Sequence, residues 1–497
     1  MHARRAVWAG LVAGTLTALS TGLPVLAPPA SAATAAHYTI TDLGSLGFGD
    51  LSVAKGVNNA GTVVGYSYTA AGAGHGFKWS NGTITDLGTL AGGHSSWANA
   101  VNDAGLIAGT SDRPPQGYGY PVRWSSSGVI TDLGGTVNNA LGVGNAIDPY
   151  GQVVGGQRPD NSEGGPLGTL YRADGTRVDL GPDLGVAKGI NAVGQVVGLP
   201  SYVWRNGTTT FLPDFLGTGS ASATAINISG TVVGAAFAGQ SNLAVRWTGT
   251  NPTSLGSVPG ITTNTATAIN AAGQIVGTAD PQCSPCPAPR AWLWQAGSLT
   301  LLDDLLPADS GWSLQQANGI NDRGQIVGAG IYNGHPRAYL LTPTFSVSVN
   351  FAPAGASVPV GYRADTGAAY GPRAGGLTYG WNIDNSVNAR DRNAASSPDQ
   401  RYDTLNHLQK PGGAIRWELA LPNGRYLVHL VAGDPTAVDS TYGLTAEGQL
   451  VVSGTPTASR HWIEGTALVT VTDGRLTVAN GTGAVNDKIS YLDVSSA

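Results

Sequence analysis

The sequence predicts an all-β protein: a seven-bladed β-propeller followed by a β-sandwich of jelly-roll type. Three observations carry this. A motif of one apolar residue, Asn-x-x-Gly, two or three apolar residues and a small one recurs seven times between residues 38 and 343, with Asp148 in place of Asn in the third copy. Its first glycines are Gly61, Gly105, Gly151, Gly194, Gly230, Gly273 and Gly324. They lie about 44 residues apart on average, the length of a four-stranded propeller blade. The composition agrees: of 497 residues 73 are Gly, 11% are charged, and the one Met is the initiator. An average globular protein has roughly 25% charged residues.

The chain opens with a basic stretch, His2-Ala3-Arg4-Arg5, an interrupted apolar run from Ala6 to Leu26, and the small-residue site Ala30-Ser31-Ala32. This is the pattern of a secretory signal peptide over residues 1–32. A retained membrane anchor is the alternative, but Pro24 and several polar residues break the run. Cleavage leaves 24 basic against 31 acidic residues, a net charge of −7. The expectation is a secreted, extracellular protein with no membrane span. The acidity argues against nucleic acid as a partner.

Each repeat supports four strands. The Asn-x-x-Gly turn joins the first two. A third strand ends in an aromatic: Trp79, Trp124, Tyr171, Trp204, Trp247 or Trp294. A tight turn such as Asn81-Gly82 or Asn206-Gly207 then leads to a fourth, and Asn-Gly is the hairpin signal. The fourth ends in Asp-Leu-Gly at Asp86, Asp132 and Asp179. The seventh unit stops after its third strand at Arg337–Leu341, while a spare fourth strand, Tyr38–Leu43, precedes the first unit. Pairing these two would close the ring and cover its open edges.

These units resemble the HAF repeats of bacterial extracellular proteins. The resemblance covers roughly residues 38–343 and implies secretion and a propeller-like fold, but no reaction. The two cysteines, Cys283 and Cys286, are spaced C-x-x-C in a loop. In an exported protein they are expected to close a small disulfide. A metal site lacks a second cysteine pair, and a redox pair lacks its usual βαβ context. No metal and no cofactor are expected.

Residues 344–497 form a different module. Phe345–Phe351, Tyr426–Val431 and Leu468–Val471 are strand-like runs, and Pro422-Asn423-Gly424 and Asp473-Gly474 are hairpin turns. The segment resembles malectin-like and galactose-binding-type β-sandwich modules of secreted carbohydrate-active proteins. The resembling stretches are Gly376–Asn382, Tyr402–Leu405 and Leu421–Tyr426 leading to Gly433-Asp434. The resemblance implies carbohydrate or cell-surface binding rather than catalysis.

Candidate ligand-binding residues follow from these two modules. Trp97 and Trp312 lie just before first strands and offer flat faces to sugar rings, or staple adjacent blades. Tyr332 and His335 belong to the same variable-loop face. Three residues before each repeat Asn stand Lys55, Asn99, Asn145, Lys188, Thr224, Thr267 and Asn318, all polar. They read as a hydrogen-bonded ring near the channel, with Lys55 and Lys188 able to attract an anion such as a uronate. Tyr379 and Trp381 form an aromatic platform in the sandwich.

Catalytic residues are not identifiable. The repeated acids read as turn caps, and Asp112, Asp160, Glu163 and Asp280 stand outside the repeat pattern. The expected function is non-catalytic binding of extracellular or cell-surface carbohydrate by a monomer. The alternative is a polysaccharide lyase or glycoside hydrolase with its site on the variable-loop face, which would need positioned acid–base groups.

Overall fold

The computed structural model describes residues 38–114, 118–134, 142–158, 165–217, 220–239, 241–281, 287–295, 297–374, 376–410, 415–421 and 423–496. Residues 1–32, read from the sequence as a signal peptide, and Cys283, Cys286, Asp160 and Glu163 lie outside them. Seven four-stranded antiparallel sheets follow one another, then a sandwich of a five-stranded and a six-stranded sheet with a small three-stranded sheet beside it. The first blade is Gly47–Val57, Val63–Thr69, Gly74–Ser80 and Thr83–Asp86. The last is Trp312–Ile320, Ile326–Tyr332 and His335–Pro343, completed by Tyr38–Asp42. That strand pairs antiparallel from Tyr38↔Pro343 to Asp42↔Tyr339. The ring is closed by the strand the sequence left spare.

The repeat motif is explained residue by residue. The apolar pair that opens each second strand, Val-Val in four blades and Ile-Ala or Ile-Val in the others, has both members buried because successive side chains point to opposite faces. Val63 packs towards the last blade with Val327 and Leu340, and Val64 packs towards the second with Ile107 and Trp124. In the Asn-Gly hairpins both turn residues take positive φ, 49° at Asn81 and 82° at Gly82. The second repeat glycine has a different reason. A Cβ at Gly65 would run into the Val53 carbonyl oxygen, where the innermost strand bulges. The Asp-Leu-Gly ends are turn caps, with Asp42, Asp86 and Asp132 each accepting the backbone N–H two residues on.

The sandwich core lies between its two large sheets and holds Phe351, Trp381, Trp417, Val428, Leu430 and Val478. A helical turn, Gln400–Asp403, and the strand Trp462–Val471 meet the propeller on the face formed by the Asn-x-x-Gly turns. Ile228, in the fifth of these turns, packs into a sandwich cluster of Tyr362, Tyr402, Val431, Tyr491 and Trp462. Both modules belong to one compact unit, Ala36–Ala497. Among the described residues no helix is long and apolar enough to cross a membrane.

Candidate functional site

The propeller axis is built in layers. At the turn end, each repeat Asn uses Oδ1 to accept the backbone N–H four residues on, as Asn58 does from Thr62 at 2.9 Å. Its Nδ2 donates to the carbonyl of the equivalent residue in the next blade. Six such bonds, 2.8 to 3.1 Å long, run from Asn58, Asn102, Asn191, Asn227, Asn270 and Asn321. The third blade has Asp148, which lacks this donor and instead accepts from Gln152 Nε2 at 2.7 Å. Burial pushes the Asp148 carboxyl above its ordinary pKa.

The polar column three residues earlier is a ring of β-bulges. The register shifts at Lys55, Asn99, Asn145, Lys188, Thr224, Thr267 and Asn318 alike. Five of these side chains bond a carbonyl of the next blade at 2.6 to 2.8 Å. Lys55 and Lys188 make no such bond to a described residue; Lys55 Nζ sits 6.0 Å from the Tyr66 ring centroid. Burial lowers the pKa of both lysines.

The turn end of the channel is covered by the sandwich. Arg401 Nη1 donates to Asp322 Oδ2 at 2.6 Å, and Nη2 donates to Asp399 at 2.7 Å. The guanidinium lies 5.3 to 5.7 Å from the rings of Tyr362, Tyr402 and Tyr491. Burial would raise the Asp322 carboxyl, but Arg401 and donated hydrogen bonds hold it below its ordinary pKa. The remaining channel volume here is about 220 Å³.

Several sequence-predicted candidates change role. Trp381 and Tyr379 are core residues: Trp381 is 0% exposed, and its Nε1 donates to Asp365 at 2.7 Å. Trp417 donates to the other oxygen of Asp365 at 2.8 Å. Tyr379 is likewise buried, with its hydroxyl donating to the Ala364 carbonyl. A sugar platform must be open to solvent, and these rings are spent on the sandwich core. Trp312 and Tyr332 stack on one another with centroids 4.8 Å apart, which makes them a staple within the last blade. His335 lies 3.9 Å from Asp50, and Trp97 remains 38% exposed. Asp112 accepts the His94 and Ser95 N–H groups, a loop cap.

Another cavity lies on the turn face, among the described residues. It has a volume of about 640 Å³ and runs between blades five and six and the sandwich strands Gly424–Gly433 and Trp462–Val471. A second cavity of about 250 Å³ continues from it towards Arg205, sharing Ser229, Arg460 and Glu464. On the propeller side the Arg246 guanidinium lies 4.7 Å from the Trp294 ring centroid, and Gln274 Nε2 donates to Gln295 Oε1 at 3.0 Å. On the sandwich side His429, 1% exposed, stands between two carboxylates, Asp493 at 3.2 Å from Nδ1 and Glu464 at 3.4 Å from Nε2. Burial would lower the imidazole pKa, but the two carboxylates outweigh it and push it up to about 9. The cleft therefore faces a cationic His429 at neutral pH.

Sequence reasoning placed candidates on the variable-loop face, in the channel at Lys55 and Lys188 and on the sandwich at Tyr379 and Trp381, and did not anticipate this cleft. A signal existed: His429 interrupts the apolar run Tyr426–Val431 on the side away from the sandwich core.

No family model and no curated protein matches the sequence. Among solved structures, a streptogramin B lyase is 14% identical at TM-score 0.41, covering 62% of this chain and 98% of that one. A virginiamycin B lyase from Staphylococcus aureus is 13% identical at TM-score 0.41, covering 61% and 99%. A Bacillus subtilis protein, YXIM, is 22% identical at TM-score 0.23, covering 31% of this chain. This chain spans only 40% of that protein's length. These likenesses assign no activity to this chain.

Proposed function

We propose that this is a secreted, non-catalytic carbohydrate-binding protein, with a HAF-type propeller and a malectin-like sandwich that bind their ligand jointly. The cleft between the modules carries this reading. Its volume, about 640 Å³, is within the range of ligand clefts, about 300–1,000 Å³. Its lining joins an aromatic ring, Trp294, with amides, hydroxyls and guanidiniums, the mixture that recognises the apolar faces and hydroxyl rims of sugars. The variable-loop face supports binding less well, because Trp312 and Tyr332 are stacked on each other.

A glycan array with the full chain, followed by titration calorimetry on each hit, tests the proposal. Ser229 is exposed where the two cavities meet, so Ser229→Trp should obstruct the groove without touching the core. The expected result is glycan binding that this change removes while the unfolding temperature stays. Binding of no glycan, or binding indifferent to Ser229→Trp, would refute it.

A further inference from the structure

We infer that the groove between propeller and sandwich takes an acidic polysaccharide, a polymer of uronate units whose carboxylates are held by Arg246, Arg460 and Arg205. This rests on the carbohydrate-binding reading above and names its ligand class.

The first argument compares equivalent positions in the blades. The residue before the third-strand aromatic is basic in blades one, two and five: Lys78, Arg123 and Arg246. Lys78 Nζ donates to the Ser126 carbonyl of the next blade at 3.1 Å, and Arg123 Nη1 to the Gly151 carbonyl at 2.8 Å. Those cations are used in joining blades. Arg246 is not: it lies against Trp294 of the next blade, and its Nε is buried with no hydrogen-bond partner. The ring contact holds the guanidinium against the cleft wall. A planar fork held this way suits bidentate bonding to a carboxylate.

The second argument is charge balance. Arg246, Arg460 and Arg205 have no ion pair with any described carboxylate. Facing them are two acids, Glu464 and the deeper Asp493, and both flank His429. That imidazole is protonated at neutral pH and offsets one of them. His461, at the far end, is tied to the Asp434 carbonyl at 3.0 Å. The groove is thus a cationic strip on a protein whose net charge is −5. General attraction for polyanions is disfavoured by that net charge, so the cations select an acid only where it can enter the groove.

The third argument is shape. Arg246 lines the larger cavity, Arg205 the smaller, and Arg460 belongs to both. Cations spaced along one continuous groove match a repeating acid better than a single acidic sugar.

The test uses the full chain with hexamers of polygalacturonate, alginate and hyaluronate, each beside its methyl-esterified form, and with single-stranded DNA as a second polyanion. At least one acidic hexamer should bind about tenfold or more tighter than its ester, a ratio that one lost carboxylate contact can produce. Arg246→Gln and Arg460→Gln should each remove most of that ratio, weakening the acid far more than the ester. Arg246→Lys, which keeps the charge but loses the fork, should recover only part of it. Equal affinity for acid and ester, both lost in Ser229→Trp, would overturn the acidic ligand and leave carbohydrate binding standing. DNA bound as tightly as the uronates would also overturn it. Failure of every polymer, acidic or neutral, would remove the underlying reading as well.

Discussion

Asn321 Nδ2 donates to the backbone carbonyl oxygen of Asn58 at 2.8 Å, joining residues 263 apart in sequence. Beside that of Asn318 to Ala54, it is one of the bonds by which the last repeat returns to the first. The same amide also reaches Gln325 at 2.8 Å, so one side chain shapes its own turn and fastens the neighbouring blade. This double use explains why Asn, with both a carbonyl and an NH₂, recurs where Asp or Ser would suffice for a turn alone.

Asp148 is the one break in that ring, so Asp148→Asn should stabilise the protein. The new amide would donate to the next blade's Asn191 carbonyl, and Gln152 would turn its oxygen towards it, as Gln195 does beside Asn191. A gain of about 1 kcal/mol is expected, the usual worth of a hydrogen bond. Since burial raises the Asp148 pKa in the fold, protonation favours the native state, and the wild type loses stability as pH rises through that raised value. The advantage of Asn should therefore be larger at pH 7 than at pH 4. Thermal unfolding at both values checks this; no gain at pH 7 would contradict it.

Arg401→Met should loosen the sandwich from the propeller. Removing one partner of a buried ion pair leaves Asp322 uncompensated, at a cost of about 3–5 kcal/mol. Calorimetry should then resolve two transitions in place of one. The Asp322 pKa is held below its ordinary value, so the pair's contribution is present above about pH 4 and is lost as pH falls through the lower folded value. A variant with unchanged unfolding at pH 7 would show that the pair contributes nothing to docking.

His429 predicts an alkaline sensitivity. Its pKa is raised to about 9 in the fold from an ordinary value near 6.5. The stabilisation is complete below about pH 6.5 and declines as pH passes through 9. The wild type should lose more unfolding temperature between pH 6 and pH 9.5 than His429→Gln does. Parallel profiles would place the charge of His429 outside the stability balance.

Trp381→Phe should lower stability by about 1–3 kcal/mol, because Asp365 would lose one of its two indole donors while staying buried. Carbohydrate affinity should not change. A fall in affinity at unchanged stability would restore the aromatic platform.

Much of the fold was legible because each repeat carries the same local physics. The Asn turn, the Val-Val strand facing two neighbours and the glycine under each bulge all leave marks at fixed spacing. The bulges themselves were not legible, although the polar column at Lys55, Asn99 and Asn145 was their trace. The docking face was missed for a related reason. The residue after each repeat Asn varies freely in a hairpin turn, and only the assembled fold gives it meaning: Asn59 bonds Asp103 and Asp322 between blades, and Ile228 and Asp322 meet the sandwich. Trp381 misled because an aromatic beside a glycine reads equally as a platform or a core ring. Its partner Asp365 is 16 residues away and belongs to no motif.

The pairing of Tyr38–Asp42 with His335–Pro343 has a consequence for order in time. The strand made first must wait for the strand made about three hundred residues later. Until then six blades can stack, but the seventh has a missing member and the chain has two ends. Closure is the contact of greatest sequence separation in the ring, and such contacts form slowly. A synthesis that stalls late leaves the assembled blades with an unmet edge and Tyr38 with no apolar cluster to enter. The ring thus works as a completeness check: only a finished propeller hides its own beginning.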